Sequence, residues 1–477
     1  MKSLAFVASP IMDVNEEGAW FPTMQDADRE SPQLGVYLLA GRLKKAGWIV
    51  EIIDWVAMPG VAPAEIATKI AKFEVALFSA NSMNWASALH VCRAARRINP
   101  NLKTCVGGPH PTHYPVSVIA SGSFDCYFRG EADSYIALIA DSLFSDSRPT
   151  IRVPGLGWSV DGESGIPETH TEQLLDPIDW EPAYDSIPSD TFLVLPVETS
   201  RGCKFQCSFC SIPQKKNWRA YSDSSGIHKL NLANKYSYKA RTGILSIVDD
   251  TFTTDHYRVE RICDGLDPGA FSGRLMYDAT LVDARNENMV RALAPFTSDL
   301  LLGAEVSSKE DGKRIRKASN PKIIFEAAEV LQKFDISRKA VFSFIIGFPW
   351  HTKADCLRTI ILAKDLALNY GARIYIQWYW PMPGSEIWRD LESKGLVNLE
   401  MMDVPGFFRR QEWFFPIRGF TIKDMQDIDD RILAVQSVLD IYSGDRRHRP
   451  LEYGSPLRMW SKQRVNRNPS MVRSAET

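Results

Sequence analysis

The chain has little cysteine, no dominant charge and no long apolar run. Its 477 residues include only eight cysteines. That density excludes the disulfide-dense frameworks on which small secreted domains rely. Lys and Arg number 56 against 58 Asp and Glu, a formal net charge of −2. Nothing in that balance points to nucleic acid or to an anionic membrane surface as a partner. No apolar stretch approaches the roughly 20 residues that a membrane-spanning helix needs. The first ten residues, Met1-Lys-Ser-Leu-Ala-Phe-Val-Ala-Ser-Pro10, carry a short apolar run and no convincing cleavage site. They read as a buried first strand rather than a leader. A Gly-x-Gly-x-x-Gly fingerprint is missing from the first strand–helix turn, which makes a nicotinamide cofactor a poor reading. Together these absences imply a reducing, cytoplasmic setting.

What is present is an ordinary globular composition, 45% hydrophobic and 24% charged, long enough for two or three domains. Three of the eight cysteines are clustered. Cys203, Cys207 and Cys210 fall in the run Thr199-Ser-Arg-Gly-Cys-Lys-Phe-Gln-Cys-Ser-Phe-Cys-Ser211. The spacing supplies three thiolates and no local fourth. Structural zinc usually closes four ligands, and electron-transfer clusters are commonly held by four cysteines. A cubane held by three has one iron open to bind something that reacts. Cys92, Cys105, Cys126, Cys263 and Cys356 are scattered through apolar patterns and read as small core residues.

Residues 1–145 alternate short apolar runs at 4–8, 49–54, 74–79, 104–107 and 125–128 with helical patterns. Alternation of this kind predicts a doubly wound parallel sheet, whose ligands bind at the carboxyl ends of its strands. The loops there are unusual: Gly107-Gly-Pro-His-Pro-Thr112 and Arg129-Gly-Glu-Ala-Asp133. Paired glycines let backbone approach a flat or bulky ligand. Residues 146–190 are rich in Pro, Gly, Asp and Ser and read as a linker. From 191 to 395 strand patterns at 194–198, 243–248, 300–305, 341–349 and 373–380 end in polar, Gly or Pro residues, which suggests a partial barrel. Residues 396–477 read as a C-terminal cap, with a helix over 423–442 and a basic tail. From Arg446 that tail carries eight Lys and Arg against Glu452 and Glu476, a run expected to stay solvated.

With Phe209 just before its last cysteine, the cysteine run resembles that of the radical S-adenosylmethionine enzymes. Pro32-Gln-Leu-Gly35, the 79–84 segment, Gly107-Gly-Pro-His110 and Gly130-Glu131 resemble the cobalamin-binding domain fused to many of them. The chain is thus similar to the cobalamin-dependent radical S-adenosylmethionine family, in particular to its methyltransferases. The resemblance implies an α/β fold: an N-terminal doubly wound sheet of cobalamin-binding type, a partial (β/α)6 barrel and a mostly helical C-terminal cap. It implies a 4Fe-4S cluster on Cys203, Cys207 and Cys210 whose open iron chelates S-adenosylmethionine. Electron transfer then yields a 5'-deoxyadenosyl radical. Phe209, Asp250, Glu305, Ser307 and Gly347 would serve that side. Pro32, Leu34, Gly35, Ser79, Asn81, Asn84, Gly107, Gly108, Pro109, His110, Gly130 and Glu131 would hold cobalamin.

Some of these positions also have plainer readings. Asp249 or Asp250 could simply cap the next helix. Lys317 reads as solvated rather than paired. Gly347 reads as making room for adenine, with Phe348 and Pro349 as a wall. The Asp-x-His-x-x-Gly sequence that supplies a histidine to cobalt in many cobalamin domains is absent. A corrin with no histidine below it is therefore expected, over some residue of the 81–85 segment.

For function, the resemblance implies transfer of a methyl group from methylcobalamin to a carbon, rarely a phosphorus, of a small metabolite. An external flavodoxin- or ferredoxin-type donor would supply electrons. Two alternatives stand beside it: a cyclase or oxidative enzyme with the same cofactors but no net methylation, and a cobalamin-binding sensor or carrier with a redox cluster. Candidate substrate contacts are Tyr375, Gln377 and Tyr379, on one face of the last barrel strand, and Arg409. These aromatics could equally pack the barrel against the C-terminal segment.

Overall fold

A computed structural model describes residues 2–453 apart from 16–17, 19, 23–29, 59, 163–164, 175, 177–179, 410–416, 418 and 444–450. Short apolar runs punctuated by Gly, Pro and Asn build the first sheet. Its strands are β1 (Ser3–Ala8), β2 (Ile49–Asp54), β3 (Val75–Ser79), β4 (Lys103–Gly107), β5 (Cys126–Phe128) and β6 (Leu156–Trp158). They lie in the order β2-β1-β3-β4-β5-β6. The first five are parallel, and β6 pairs antiparallel with β5 at the edge. Parallel neighbours need crossover connections. The helices α1 (Leu34–Lys45), α2 (Pro63–Ile70) and α3 (Trp85–Ile98) supply three of them. The chain steps outward from β1 to β2 and then returns to β3. The crevice at a parallel sheet's switch point therefore opens above the carboxyl ends of β1 and β3.

The 146–190 segment is more than a tether. It contributes β6 to the first sheet, and the Ala183 N–H donates to the Tyr37 carbonyl of α1 at 2.9 Å.

The second sheet begins with β7 (Val194–Val197). The chain then makes a two-stranded antiparallel ribbon, β8 (Ser200–Arg201) with β9 (Arg219–Ala220), that embraces the cysteine run. It returns to the sheet as β10 (Ile244–Ile247), β11 (Leu275–Thr280), β12 (Thr297–Glu305), β13 (Ala340–Ile346), β14 (Arg373–Trp378) and β15 (Leu451–Tyr453). The order is β15-β14-β13-β12-β11-β10-β7, and every pairing is parallel. Six of these strands, β7 and β10 to β14, are the open barrel. The sequence patterns miss β11, because Asp278 interrupts a short alternating run. They also misread Leu451–Tyr453 as solvated tail. Its three residues pair with Ile374–Ile376, and Leu451 is fully buried. The rest of the tail, beyond residue 453, lies outside the described residues.

The C-terminal helix, here α6 (Ile422–Ser443), packs on α5 (Lys353–Tyr370) and β15. α4 (Pro109–His113) follows β4. One apolar core runs from the α1 side of the first sheet into the barrel. A second runs from the other face of that sheet to Phe348, Tyr379, Trp388 and Phe407. Among the described residues no helix is long and apolar enough to cross a membrane.

Candidate active site

The cysteine loop hangs from the ribbon after β7. Thr199 and Ser200 anchor its root on the buried Asp249 carboxylate. The Thr199 N–H and hydroxyl and the Ser200 hydroxyl each donate to it at 2.6 Å. The Asp250 carboxylate accepts the Gly202 N–H at 2.9 Å. Gly202 has φ +76°, and a Cβ there would stand 2.1 Å from the Asn217 carbonyl, so only glycine closes this turn. Backbone amides of Phe205 and Ile212 point at the sulfurs of Cys203 and Cys210, at 3.5 and 3.4 Å. The Thr251 hydroxyl is 3.1 Å from the Cys203 sulfur. The Lys215 ammonium donates to the Cys207 carbonyl at 3.1 Å and also to that of Cys210. The three thiols lie within electrostatic reach of one another. Burial is the main influence pushing the Cys207 and Cys210 thiols above their ordinary pKa.

The neighbouring strand ends complete one side of the mouth. Asp250, just past β10, is exposed at the mouth, and partial desolvation by the surrounding protein raises its carboxyl above the usual range. Glu305 ends β12 with φ +58° and accepts from Lys317 at 2.7 Å. Lys317 is therefore paired, contrary to the sequence expectation. Burial opposes its charge, but the charge and hydrogen bond of Glu305 prevail and raise its pKa. The Ser307 hydroxyl is 2.8 Å from that of Thr359. Gly347 has φ +73°, and a Cβ there would strike the Trp378 ring at 2.4 Å. That indole is what requires glycine. Phe348 is fully buried and stacks on Trp350 and Tyr379, with centroids 5.0 and 4.6 Å apart, so it belongs to the core. Phe209 meets its edge at 6.1 Å.

Above the first sheet lies a cavity of about 600 Å³. Its rim includes Leu34, Gly35, Ser79, Asn81, Asn84, Gly107, Gly108, Pro109, Gly130 and Glu131, and its floor includes Leu38, Leu77 and Phe128. Two expected residues are not brought to it, Pro32 and His110. His110 is fully buried and stacks on Trp85 at 4.2 Å, with Ser82 and Ser117 hydroxyls at 3.2 and 3.3 Å from its ring nitrogens. Burial lowers its pKa to about 3. The Glu131 carboxylate is already occupied by Arg219, at 2.8 Å. In the 81–85 segment, Asn84 is buried and donates to the Ser9 carbonyl, and the Trp85 indole donates to Asp403. Asn81, Ser82 and Met83 remain less enclosed.

The comparisons with known proteins agree with this geometry. Residues 23–140 match the B12 binding domain family. An uncharacterized methyltransferase of Pyrococcus horikoshii is 30% identical over 383 residues, 77% of this chain and 80% of that protein. The chain belongs to the cobalamin-dependent radical S-adenosylmethionine family. An anaerobic magnesium-protoporphyrin IX monomethyl ester cyclase of Rubrivivax gelatinosus is 22% identical, covering 84% of this chain and 72% of that one. Among solved structures, the fold is similar to that of the radical S-adenosylmethionine methyltransferase TsrM from Kitasatospora setae. The TM-score is 0.62 at 12% identity, over 92% of this chain and 88% of that one. It is also similar to the cobalamin-dependent radical enzyme OxsB, with a TM-score of 0.64 at 14% identity, over 98% and 75%.

The residues present fit the cofactors of this family. Among the described residues no three His, Cys, Asp or Glu side chains converge tightly enough for one metal ion. A cubane instead spreads its ligands over separate corners, which suits three thiols on a loop. Backbone amides aimed at the sulfurs favour the thiolate forms that such clusters need. The cavity holds about 600 Å³, and at Gly35 and Gly107 on its rim an added Cβ would meet nothing nearer than 4.0 Å.

Of the residues expected to meet the substrate, the structure places only some in the barrel interior. On β14, Ile374, Ile376 and Trp378 are buried towards the helices, which leaves Tyr375 and Gln377 on the barrel-interior face. Tyr379 breaks the alternation and is buried against Phe348. The Arg409 side chain, and Arg410, lie outside the described residues. Two features escaped the sequence reading. Asp278 on β11 opens to the barrel interior, where burial pushes its pKa up to about 6, partly offset by Lys317. Arg201 and Asp133 form an ion pair between the two domains. The strand alternation of 275–280 was the available signal for Asp278. None existed for the ion pair.

Proposed function

We propose that the chain is a methyltransferase that uses radical chemistry to methylate a carbon of a small molecule, with electrons from a separate small redox protein. What supports the reading most is the shared opening. Glu198, Arg201 and Val248 of the barrel line the same cavity as Gly107, Gly108 and Gly130 of the cobalamin side. When bound, the cluster with S-adenosylmethionine supplies a 5'-deoxyadenosyl radical, and cobalamin supplies the methyl group. The chain's own residues position and shield. Asp249 and Asp250 hold the cluster loop at its root, and Glu305 with Lys317 presents a fixed charge pair at the mouth. Tyr375, Gln377 and Asp278 offer the substrate hydrogen-bonding groups inside the barrel. Phe209, Phe348 and Tyr379 keep water from the wall behind.

The test is anaerobic reconstitution with iron, sulfide and cobalamin, followed by mass analysis of products from S-adenosylmethionine and candidate substrates. Equal amounts of S-adenosylhomocysteine, 5'-deoxyadenosine and methylated product are expected. Deoxyadenosine without S-adenosylhomocysteine would favour the cyclase type of chemistry, which the Rubrivivax relative makes the second reading. A chain that cleaves no S-adenosylmethionine after reduction would be a sensor or carrier. The Cys203→Ala, Cys207→Ala, Cys210→Ala variant is expected to lose all deoxyadenosine formation, and retained cleavage would overturn the assignment.

A further inference from the structure

Two arginines face each other across the ribbon that carries the cluster loop. Arg201 on β8 is the register partner of Arg219 on β9. Both reach out of the barrel to the loop that follows β5. Arg201 grips Asp133 with both terminal nitrogens, at 2.8 and 2.9 Å, while its Nε donates to Glu198 at 2.9 Å. Arg219 grips Glu131 in the same way, at 2.8 and 2.9 Å, and donates to the Glu172 carbonyl at 2.6 Å. Arg201 also comes within 3.6 Å of Glu131, which joins the two forks. Lys229, stacked over Tyr221 at 4.1 Å, sits in the field of Glu198 and Asp133. Three carboxylates thus meet three cations. The Arg201 and Asp133 side chains are only 10% and 17% exposed.

Enclosed ion pairs add little net stability, because desolvation cancels much of their attraction. Their strength lies in fixed geometry, since a guanidinium fork matches a carboxylate in one orientation. What is fixed here matters. Arg201 is two residues from Cys203, and Glu131, Asp133, Glu198 and Arg201 all line the cobalamin cavity. A ligand in that cavity would touch the loop held by the forks, and a cluster on Cys203 would stand two residues from Arg201 on the ribbon that holds them. Burial pushes Glu198 towards its neutral form, whereas Arg201 holds Asp133 ionised against the same burial. Glu198 lies on the same side as Arg201, so the links across to the loop after β5 are the Asp133–Arg201 and Glu131–Arg219 forks.

We propose that these forks couple the two cofactor sites, so that cobalamin binding and cluster assembly each strengthen the other, with Arg201 as the positioning residue. The inference rests on the family's cofactors but on no turnover, so it stands apart from the methyl-transfer reading. Coupling between sites is reciprocal. The experiment measures the hydroxocobalamin dissociation constant by equilibrium dialysis, on cluster-loaded chain and on the cluster-free triple alanine variant. It also measures the cluster's midpoint potential by an electron-paramagnetic-resonance titration with and without hydroxocobalamin. The cluster-loaded chain is expected to bind hydroxocobalamin at least about fivefold more tightly, and cobalamin is expected to move the potential.

Arg201→Gln should bring the affinity ratio near one, with the potential no longer moved by cobalamin, whatever it does to either affinity alone. Arg201→Lys should restore only part of the coupling. Asp133→Asn, which keeps the shape but removes the charge, should give the same loss from the other domain. Iron and cobalamin stoichiometry on the same samples separates lost coupling from lost binding. Equal affinities with and without the cluster in the natural chain, or full coupling in both Arg201→Gln and Asp133→Asn, would overturn the proposal.

Discussion

Gly202 and His110 show how much single residues decide here. At Gly202 the left-handed backbone and the Asn217 carbonyl, 2.1 Å from any Cβ, leave no room for a side chain. Gly202→Ala is expected to fold with its cobalamin cavity intact but to take up much less iron than the natural chain, as read by iron and sulfide analysis. His110 is sealed behind the cobalamin loop as a neutral ring. An unfolded chain accepts its proton below about 6.5, whereas the folded chain refuses it until about 3. The unfolded state therefore binds more protons within that window, and stability falls as pH drops through it, by up to about 1.4 kcal/mol per pH unit. His110→Gln is expected to lose less stability between pH 7 and pH 5 than the natural chain, measured by urea unfolding. The three cysteines proposed to hold the cluster stood out because they recur at a fixed local spacing. The roles of His110 and Lys317 were not, because a loop position alone says nothing about what stacks on a ring or reaches an ammonium.

At the scale of elements, alternation along β14 separated Tyr375 and Gln377 from Ile376 and Trp378, but it misplaced Tyr379 and could not say which face is inside. That choice belongs to α5 and α6, which cover the Ile374, Ile376 and Trp378 face. β11 was lost because three inward positions include Met276, Asp278 and Thr280, and a charged residue facing a lumen looks like a loop residue in sequence. The loop after β5 carries its own prediction. Gly130 has φ +99°, and a Cβ there would lie 1.9 Å from the His170 carbonyl of the segment beside it. Gly130→Ala should displace that loop from the cavity rim and weaken hydroxocobalamin binding by about tenfold, a cost of about 1.4 kcal/mol. Equilibrium dialysis would show this.

At the scale of the whole molecule, the first sheet is not a self-sufficient module. Its edge is closed by β6, its helix α1 is met by Glu181 to Ala183, and its second core includes Phe348, Trp388 and Met402 from the second part of the chain. Sheets left with bare edges and open apolar faces aggregate or stay loose. A fragment of residues 1–145 is therefore expected to bind a hydrophobic dye and to melt without a sharp transition. The full chain should melt in one dominant transition by calorimetry. Two separate transitions would show that the shared cores do not bind the parts together. The contacts of α4 point the same way. His113 lies 2.8 Å from the Ser211 carbonyl, just past the last cysteine, and the Tyr114 hydroxyl accepts the Gly384 amide at 2.6 Å.

Sequence by itself determined the cofactor chemistry. The Cys203, Cys207, Cys210 spacing and the Gly-rich strand ends each lie within a dozen residues, and local geometry is enough to make them recognisable. Tertiary structure alone decided how the two sites meet. Arg201 and Asp133 are 68 positions apart and Glu305 and Lys317 are 12 apart. A charge pair depends on distance in space and on the water removed around it, and neither exists until the chain has folded around the pair.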